Sequence, residues 1–242
     1  MERNKVPILM YHSIQNVSKT EPMRSLHVSP AAFKKQLQIL KILGFRGCTV
    51  SEAVNALREG SKEKIVALTF DDGYQNFLSN ALPALQKFGF KATVYVLSGL
   101  IGKTNIWDRA SGISPNSLLN KQELKLCIRS GVELGCHSHN HHSLISEDVS
   151  LANEITESKH LLEQQFEVDV HSFCYPYGHF NTRVLEAVQH AGFKSATTMI
   201  RSRASYSDDS LTLPRIPVNW HTLPHLFVAK ILTKYEDRRR DV

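Results

Sequence analysis

Short apolar runs alternate with longer amphipathic stretches along almost the whole chain. Pro7 to Tyr11, Ile65-Val66-Ala67-Leu68, Ala92 to Leu97, Val132 to Gly135, Phe173 to Pro176, Ser195 to Thr198 and Leu211 to Val218 have the length and composition of buried strands. Helical patterns lie between them. Ser29-Pro30 has the form of a cap followed by proline at the first helical position, and Phe33, Leu37, Leu40 and Leu43 then keep an apolar stripe until Gly44. A short helix starts at Ser51 and closes at Glu59-Gly60, and others are predicted over Lys121–Ser130, Ser150–Phe166, Thr182–Ala191 and 222–234. Asn76 to Phe88 also reads as helix, with Pro83 as a misfit that kinks it or marks a late first turn. The alternation has no break in composition and no linker. It predicts one parallel α/β domain over residues 1–242, closed into a barrel or left as an open sheet.

Two connections stand outside this rhythm. Residues 14–28 are polar and aperiodic, and residues 98–120 form a long Gly-, Ser-, Pro- and Asn-containing segment around Trp107-Asp108. Long loops in compact domains are often functional. Trp107 either packs a ligand ring or anchors the core.

Composition narrows the classes. The chain has 242 residues, 42% of them hydrophobic, which is ample for a core. The net charge of +6 is modest, and no basic-aromatic interleaving argues for nucleic acid. Arg238-Arg239-Arg240 reads as a solvated tail. Cys48, Cys127, Cys136 and Cys174 form no CxxC pair, so buried thiols in a reducing compartment are expected rather than a thiolate metal site. No leader pattern follows Met1, and no run reaches the roughly 20 apolar residues of a membrane helix. The expectation is a cytoplasmic protein, or one acting beside a membrane.

Chemistry collects at strand ends. Leu68-Thr69-Phe70-Asp71-Asp72-Gly73 puts two adjacent carboxylates where a buried strand stops. Two such groups stay ionised together only beside a cation. Gly135-Cys136-His137-Ser138-His139-Asn140-His141-His142 follows another apolar run and holds four histidines within six residues. Alone, the first reads as a turn or helix cap and the second as a solvated loop. Together they predict a metal site of one carboxylate and two imidazoles, the donor set of open catalytic zinc centres. His12, at the end of the first strand, is either a cavity group or a structural histidine.

Thr69-Phe70-Asp71-Asp72-Gly73, His137-Ser138-x-x-His141 and Tyr175-Pro176-Tyr177-Gly178 resemble, in order and separation, the first three motifs of the polysaccharide deacetylases, carbohydrate esterase family 4, or the NodB-homology domain. Val6 to His12 and Leu213-Pro214-Arg215-Ile216 resemble its flanks. The resemblance implies a distorted, TIM-like (β/α) barrel of about seven repeats. It implies metal-dependent hydrolysis of N-acetyl groups on an amino-sugar polysaccharide or glycan precursor, with release of acetate. A related amidohydrolase acting on a non-carbohydrate C–N bond and a non-catalytic glycan-binding module are the alternatives.

By the same resemblance Asp71 is the base, and Asp72, His137 and His141 hold the metal. Zinc is the default, with cobalt, nickel or manganese fitting the same ligands. The Tyr177 N–H faces the oxyanion, and Ser138 braces the histidine loop. Tyr175, Pro176, Trp107 and His12 are expected around the substrate. His142 is a rival ligand, and His139 is expected to face solvent. Many relatives carry arginine where this chain has Cys174; Arg215 is the expected substitute, steadying Asp71 from across the barrel. His221 is the nearest candidate for the late histidine that serves as acid, with His12 as the other source.

Overall fold

The computed structural model describes residues 5–240, apart from the side chains of residues 110 and 111. The leader expectation, which turned on the first residues, lies outside them. Among the described residues the main sheet has eight parallel strands, in chain order β1 (Ile8–Tyr11), β2 (Arg46–Cys48), β3 (Ile65–Phe70), β4 (Thr93–Val96), β5 (Glu133–Cys136), β6 (Ser172–Cys174), β7 (Ser195–Arg201) and β8 (Leu213–Pro217), and Ser13–Ile14 pairs with His27–Val28 apart from it. Seven close into a barrel, because β1 pairs with β8 on one side and along β3 on the other. β2 pairs only with the first half of β3, at Arg46–Ile65 to Cys48–Ala67. The open alternative is thereby excluded. Among the described residues, no helix is long and apolar enough to cross a membrane.

Helices wrap the outside: α1 (Pro30–Ile42), α2 (Val50–Arg58), α3 (Leu82–Phe88), α4 (Lys121–Arg129), α5 (Ser158–Phe166), α6 (Thr182–His190) and α7 (Pro224–Leu232). Ser29 caps α1 by accepting the Ala32 N–H, as its sequence predicts. α2 starts one residue earlier than expected, on a Thr49–Glu52 capping box. The Asn76–Phe88 stretch divides into a π-helical turn, Phe77–Ala81, and α3, with Pro83 in its first turn, where a missing N–H costs nothing. The long helix predicted from Ser150 divides in the same way into a π-helical turn, Ala152–Glu157, and α5.

Strand alternation decides what reaches the barrel axis. In β3, Val66, Leu68 and Phe70 pack into the cluster shared with the helices, while Ile65 and Ala67 pack inside with Ile8, Tyr95, Cys174 and Leu213. Thr69 and then Asp71 continue the inward set, and Arg215 of β8, which lies just beyond β1 from β3, meets both. Gly135 makes room for this interior, since a Cβ there would lie 2.4 Å from the Tyr95 ring.

Candidate active site

A cavity of about 260 Å³ opens at the C-terminal ends of the strands and is lined by His12, Asp71, Asp72, Trp107, Asp108, His137, His141, Tyr177, Met199 and Arg215, among others. In (β/α) barrels this is the face where loops carry chemistry.

Asp71 extends β3, and its N–H donates to the Tyr11 carbonyl at 2.9 Å. Regular alternation would send Asp72 outward. Asp72 instead has φ 70° and Gly73 has φ 68°, so the chain swings in the left-handed region and both carboxylates enter one cavity. Asp tolerates that conformation better than most side chains. Ser138 (φ 70°), His141 (φ 64°) and Tyr177 (φ 57°) adopt it as well. Non-glycine residues held this way mark sites where the surroundings over-determine the backbone.

Asp71 is gripped by Arg215, with Nη1 to Oδ1 at 2.7 Å and Nη2 to Oδ2 at 2.8 Å. The guanidinium is 1% exposed and also donates to the Thr198 carbonyl, Thr69 Oγ1 and Cys174 Sγ. Burial pushes the Asp71 carboxyl up, but the charge and hydrogen bonds of Arg215, together with His12 and His137, outweigh it and hold the group below its ordinary value. His12 Nε2 stands 3.8 Å from Asp71 Oδ2.

Asp72 is the metal candidate. Its Oδ1 is buried and makes no hydrogen bond among the described residues, while Nε2 of His137 and of His141 stand 3.3 and 3.4 Å away, off hydrogen-bond geometry. One ligand atom from each of the three residues lies within 4.8 Å of the others. Burial opposes ionisation of Asp72, yet the two imidazoles hold its carboxyl well below the ordinary value. His137 Nδ1 is 2.7 Å from the Cys174 carbonyl, which orients the ring and leaves Nε2 to the cluster. His141 is packed between Trp107, stacked at 4.6 Å, and the edge of Tyr177 at 4.5 Å. Burial holds its pKa below the ordinary value, whereas for His137 burial is outweighed by Cys174, Asp72 and Asp71 and the pKa is raised, so a cation there would displace the His137 proton. A carboxylate and two imidazoles with an orphaned buried oxygen between them suit a divalent cation. A second grouping, Asp71, His137 and Cys174, is also compact. It does not suit a cation, because the Arg215 charge already occupies Asp71 and Cys174.

The remaining expectations divide. Ser138 Oγ accepts the His141 N–H at 3.2 Å. Pro176 is buried outside the cavity lining, at the head of the turn that presents Tyr177. Gly178 permits that turn: it has φ 69°, and a Cβ would meet Met199 at 2.7 Å. Tyr175 forms part of the cavity wall, but its hydroxyl is spent on the Leu211 carbonyl. His221 is not in the cavity lining: it lines an adjoining depression, which shares Pro217 and Asn219 with the cavity, together with Arg201, Lys230 and Arg239, and the chain turns there on the Asn219–Thr222 hydrogen bonds. His139, expected to face solvent, is half-buried instead: Nδ1 bonds Ser98 Oγ at 2.7 Å, and the ring fills the space left by Gly99.

Four residues were missed. Asp108, beside Trp107, accepts hydrogen bonds from Asn105 and Tyr74. Met23 and Leu26 enter the cavity from the 14–28 segment. Glu154 accepts the N–H groups of His139 and Asn140 at 3.0 and 2.9 Å. Only its position shortly after the histidine cluster hinted at that.

The polysaccharide deacetylase family profile matches residues 58–196. YxkH of Bacillus subtilis, assigned to the polysaccharide deacetylases, is 29% identical over 218 residues, covering 89% of this chain and 72% of its own. A Staphylococcus epidermidis poly-beta-1,6-N-acetyl-D-glucosamine N-deacetylase is 25% identical over 239 residues, 90% of this chain and 80% of the relative. The Streptococcus pyogenes deacetylase PplD, solved with acetate, superposes with a TM-score of 0.80 at 28% identity, over 95% of this chain and 99% of that one. The chain therefore belongs to the polysaccharide deacetylase family, hydrolases of N-acetyl amide bonds.

Proposed function

We propose that this chain is a divalent-metal-dependent N-deacetylase of a poly-N-acetylglucosamine-type glycan, with Asp72, His137 and His141 holding the cation and zinc as the first choice. The observation that carries this reading is the orphaned Asp72 oxygen facing two imidazole nitrogens inside one cavity with the Asp71–Arg215 pair. When bound, the cation supplies Lewis acidity that acidifies water and polarises the acetyl carbonyl.

Asp71 then acts as general base and takes the proton of the attacking water, while Arg215 keeps it ionised and aimed. The water oxygen bonds to the acetyl carbon, and the Tyr177 N–H stabilises the developing oxyanion. The C–N bond breaks only if its nitrogen is protonated. His12 is the better acid for that step, since it lines the cavity and His221 does not. Acetate and a free amine leave. Trp107, Tyr177, Met23 and Met199 offer apolar surface to a sugar face and the acetyl methyl.

The S. epidermidis relative acts on a β-1,6-linked polymer by its name, so that linkage is the first to test. Acetate release should be compared on β-1,6- and β-1,4-linked N-acetylglucosamine oligomers and on a panel of small amides. Preference for the β-1,6 oligomers supports the proposal. Turnover of small amides alone would replace it with a non-carbohydrate amidohydrolase, and glycan binding without turnover would leave a binding module.

A further inference from the structure

The histidine loop poses a choice that its sequence does not resolve. His141 and His142 are adjacent, and a one-residue slip would exchange them in the cluster with Asp72 and His137. His141 is buried against Trp107, whereas the His142 side chain is 58% exposed. A single carboxylate contacts both the backbone before His141 and the His142 ring. Glu154 Oε2 accepts the N–H groups of His139 and Asn140 at 3.0 and 2.9 Å, and Oε1 accepts the Asn140 amide at 3.0 Å. The same Oε1 lies 3.1 Å from His142 Nδ1. The Glu154 side chain is 4% exposed and comes from a different element, the Ala152–Glu157 π-helical turn. The loop backbone is thus pinned at the two residues before His141, and His142, which is not in the cavity lining, is engaged by the same carboxylate.

We propose that Glu154 is a positioning residue that sets the register of the histidine loop, admitting His141 and diverting His142. The left-handed backbone at Ser138 and His141 is consistent with a loop held by outside contacts rather than by its own preference. Burial pushes the Glu154 carboxyl up, but the hydrogen bonds from Asn140, Ser138 and His139 together outweigh it and hold the group below its ordinary value. The proposal rests on the reading of Asp72, His137 and His141 as a metal site.

The test is cobalt(II) binding to the full chain, read by ligand-field absorption and by competition with a chromophoric chelator. The parent protein, Glu154→Gln, His142→Ala and the double variant are compared, with melting curves of the metal-free proteins. His142→Ala should bind cobalt as tightly as the parent. Glu154→Gln should bind roughly 10–100-fold more weakly with an altered spectrum, the usual cost of losing an outer partner of a metal ligand. His142→Ala should become costly only once Glu154 is lost. If Glu154→Gln does not fold, Glu154→Asp, which keeps the charge with a shorter reach, carries the same comparison. A Glu154 variant that melts lower yet binds cobalt with unchanged affinity and spectrum would overturn the proposal and leave a purely structural brace. A parent protein that binds no cobalt would overturn the metal site itself.

Discussion

Arg215 and Asp71 are a buried pair, 1% and 3% exposed at their side chains, joined by two parallel hydrogen bonds. Such a pair is costly to break from one side, because the surviving charge is left without a partner. Arg215→Met should therefore cost about 3–5 kcal/mol of stability, measured by denaturant unfolding. It should also change the pH profile. With Arg215 present the Asp71 carboxyl sits below its ordinary value; without it, burial, the largest single influence, is opposed only by His12 and His137 and the carboxyl moves up. The acid limb of kcat/KM should move to higher pH, by roughly one to three units, with Arg215→Lys in between. An unmoved acid limb would show that Asp71 is not the group whose ionisation limits the reaction. Asp71, Asp72, His137 and His141 were legible because chemistry-bearing residues sit densely at strand ends. Arg215 was legible only through resemblance, since 144 residues separate it from Asp71. Glu154 was not legible, because a glutamate on a helical stretch reads as a solvated face until the loop it binds is seen.

The elements were read well where apolar runs are long and poorly where packing substitutes for them. β2 is Arg46-Gly47-Cys48, which has no apolar run, and it escaped prediction. Its signal is Gly47, where a Cβ would lie 2.5 Å from Phe90 Cγ: the missing side chain is the seat of the Phe90 ring. Gly47→Ala should destabilise the fold by about 1–3 kcal/mol through overpacking, seen as a lower urea midpoint with an unchanged slope. An unchanged midpoint would mean that Phe90 moves aside without cost. The two π-helical turns were read as plain helix because apolar spacing alone does not reveal a one-residue insertion. Residues 98–120 were expected to be functional, and they deliver Trp107 and Asp108 to the cavity while being tied down by bridges at Thr104–Ser117 and Tyr74–Leu118.

At the scale of the molecule, the C-terminal segment is part of the fold rather than a solvated tail. Glu236 is buried between Arg201 at 2.8 Å and Lys230 at 2.5 Å, Asp237 meets Arg203 and Lys5, and Arg240 reaches Asp208 at 2.6 Å. Burial opposes ionisation of both Glu236 and Asp237, but these cations outweigh it and hold both carboxyls below their ordinary values. A carboxyl depressed in the folded state adds stability above its unfolded value, near pH 4, and loses that contribution as pH falls through the folded value. The melting temperature should therefore fall on acidification below about pH 5, and Glu236→Gln with Asp237→Asn should lower it at neutral pH while flattening that acid slope. An acid slope as steep as the parent's would place the sensitivity elsewhere. The barrel itself followed from strand–helix alternation plus resemblance, because alternation alone does not say whether β1 pairs with β3 and β8 together. Closure brings Asp71, Arg215 and the histidine loop to one mouth, and the central claim is that this mouth is a metal-dependent N-deacetylase centre. The measurement that tests it most directly is acetate release from N-acetylglucosamine oligomers by chelator-stripped protein before and after zinc is returned, with Asp72→Ala beside it. The account predicts release that appears only with zinc and only with Asp72 intact. Undiminished release from stripped protein, or from Asp72→Ala, would contradict it.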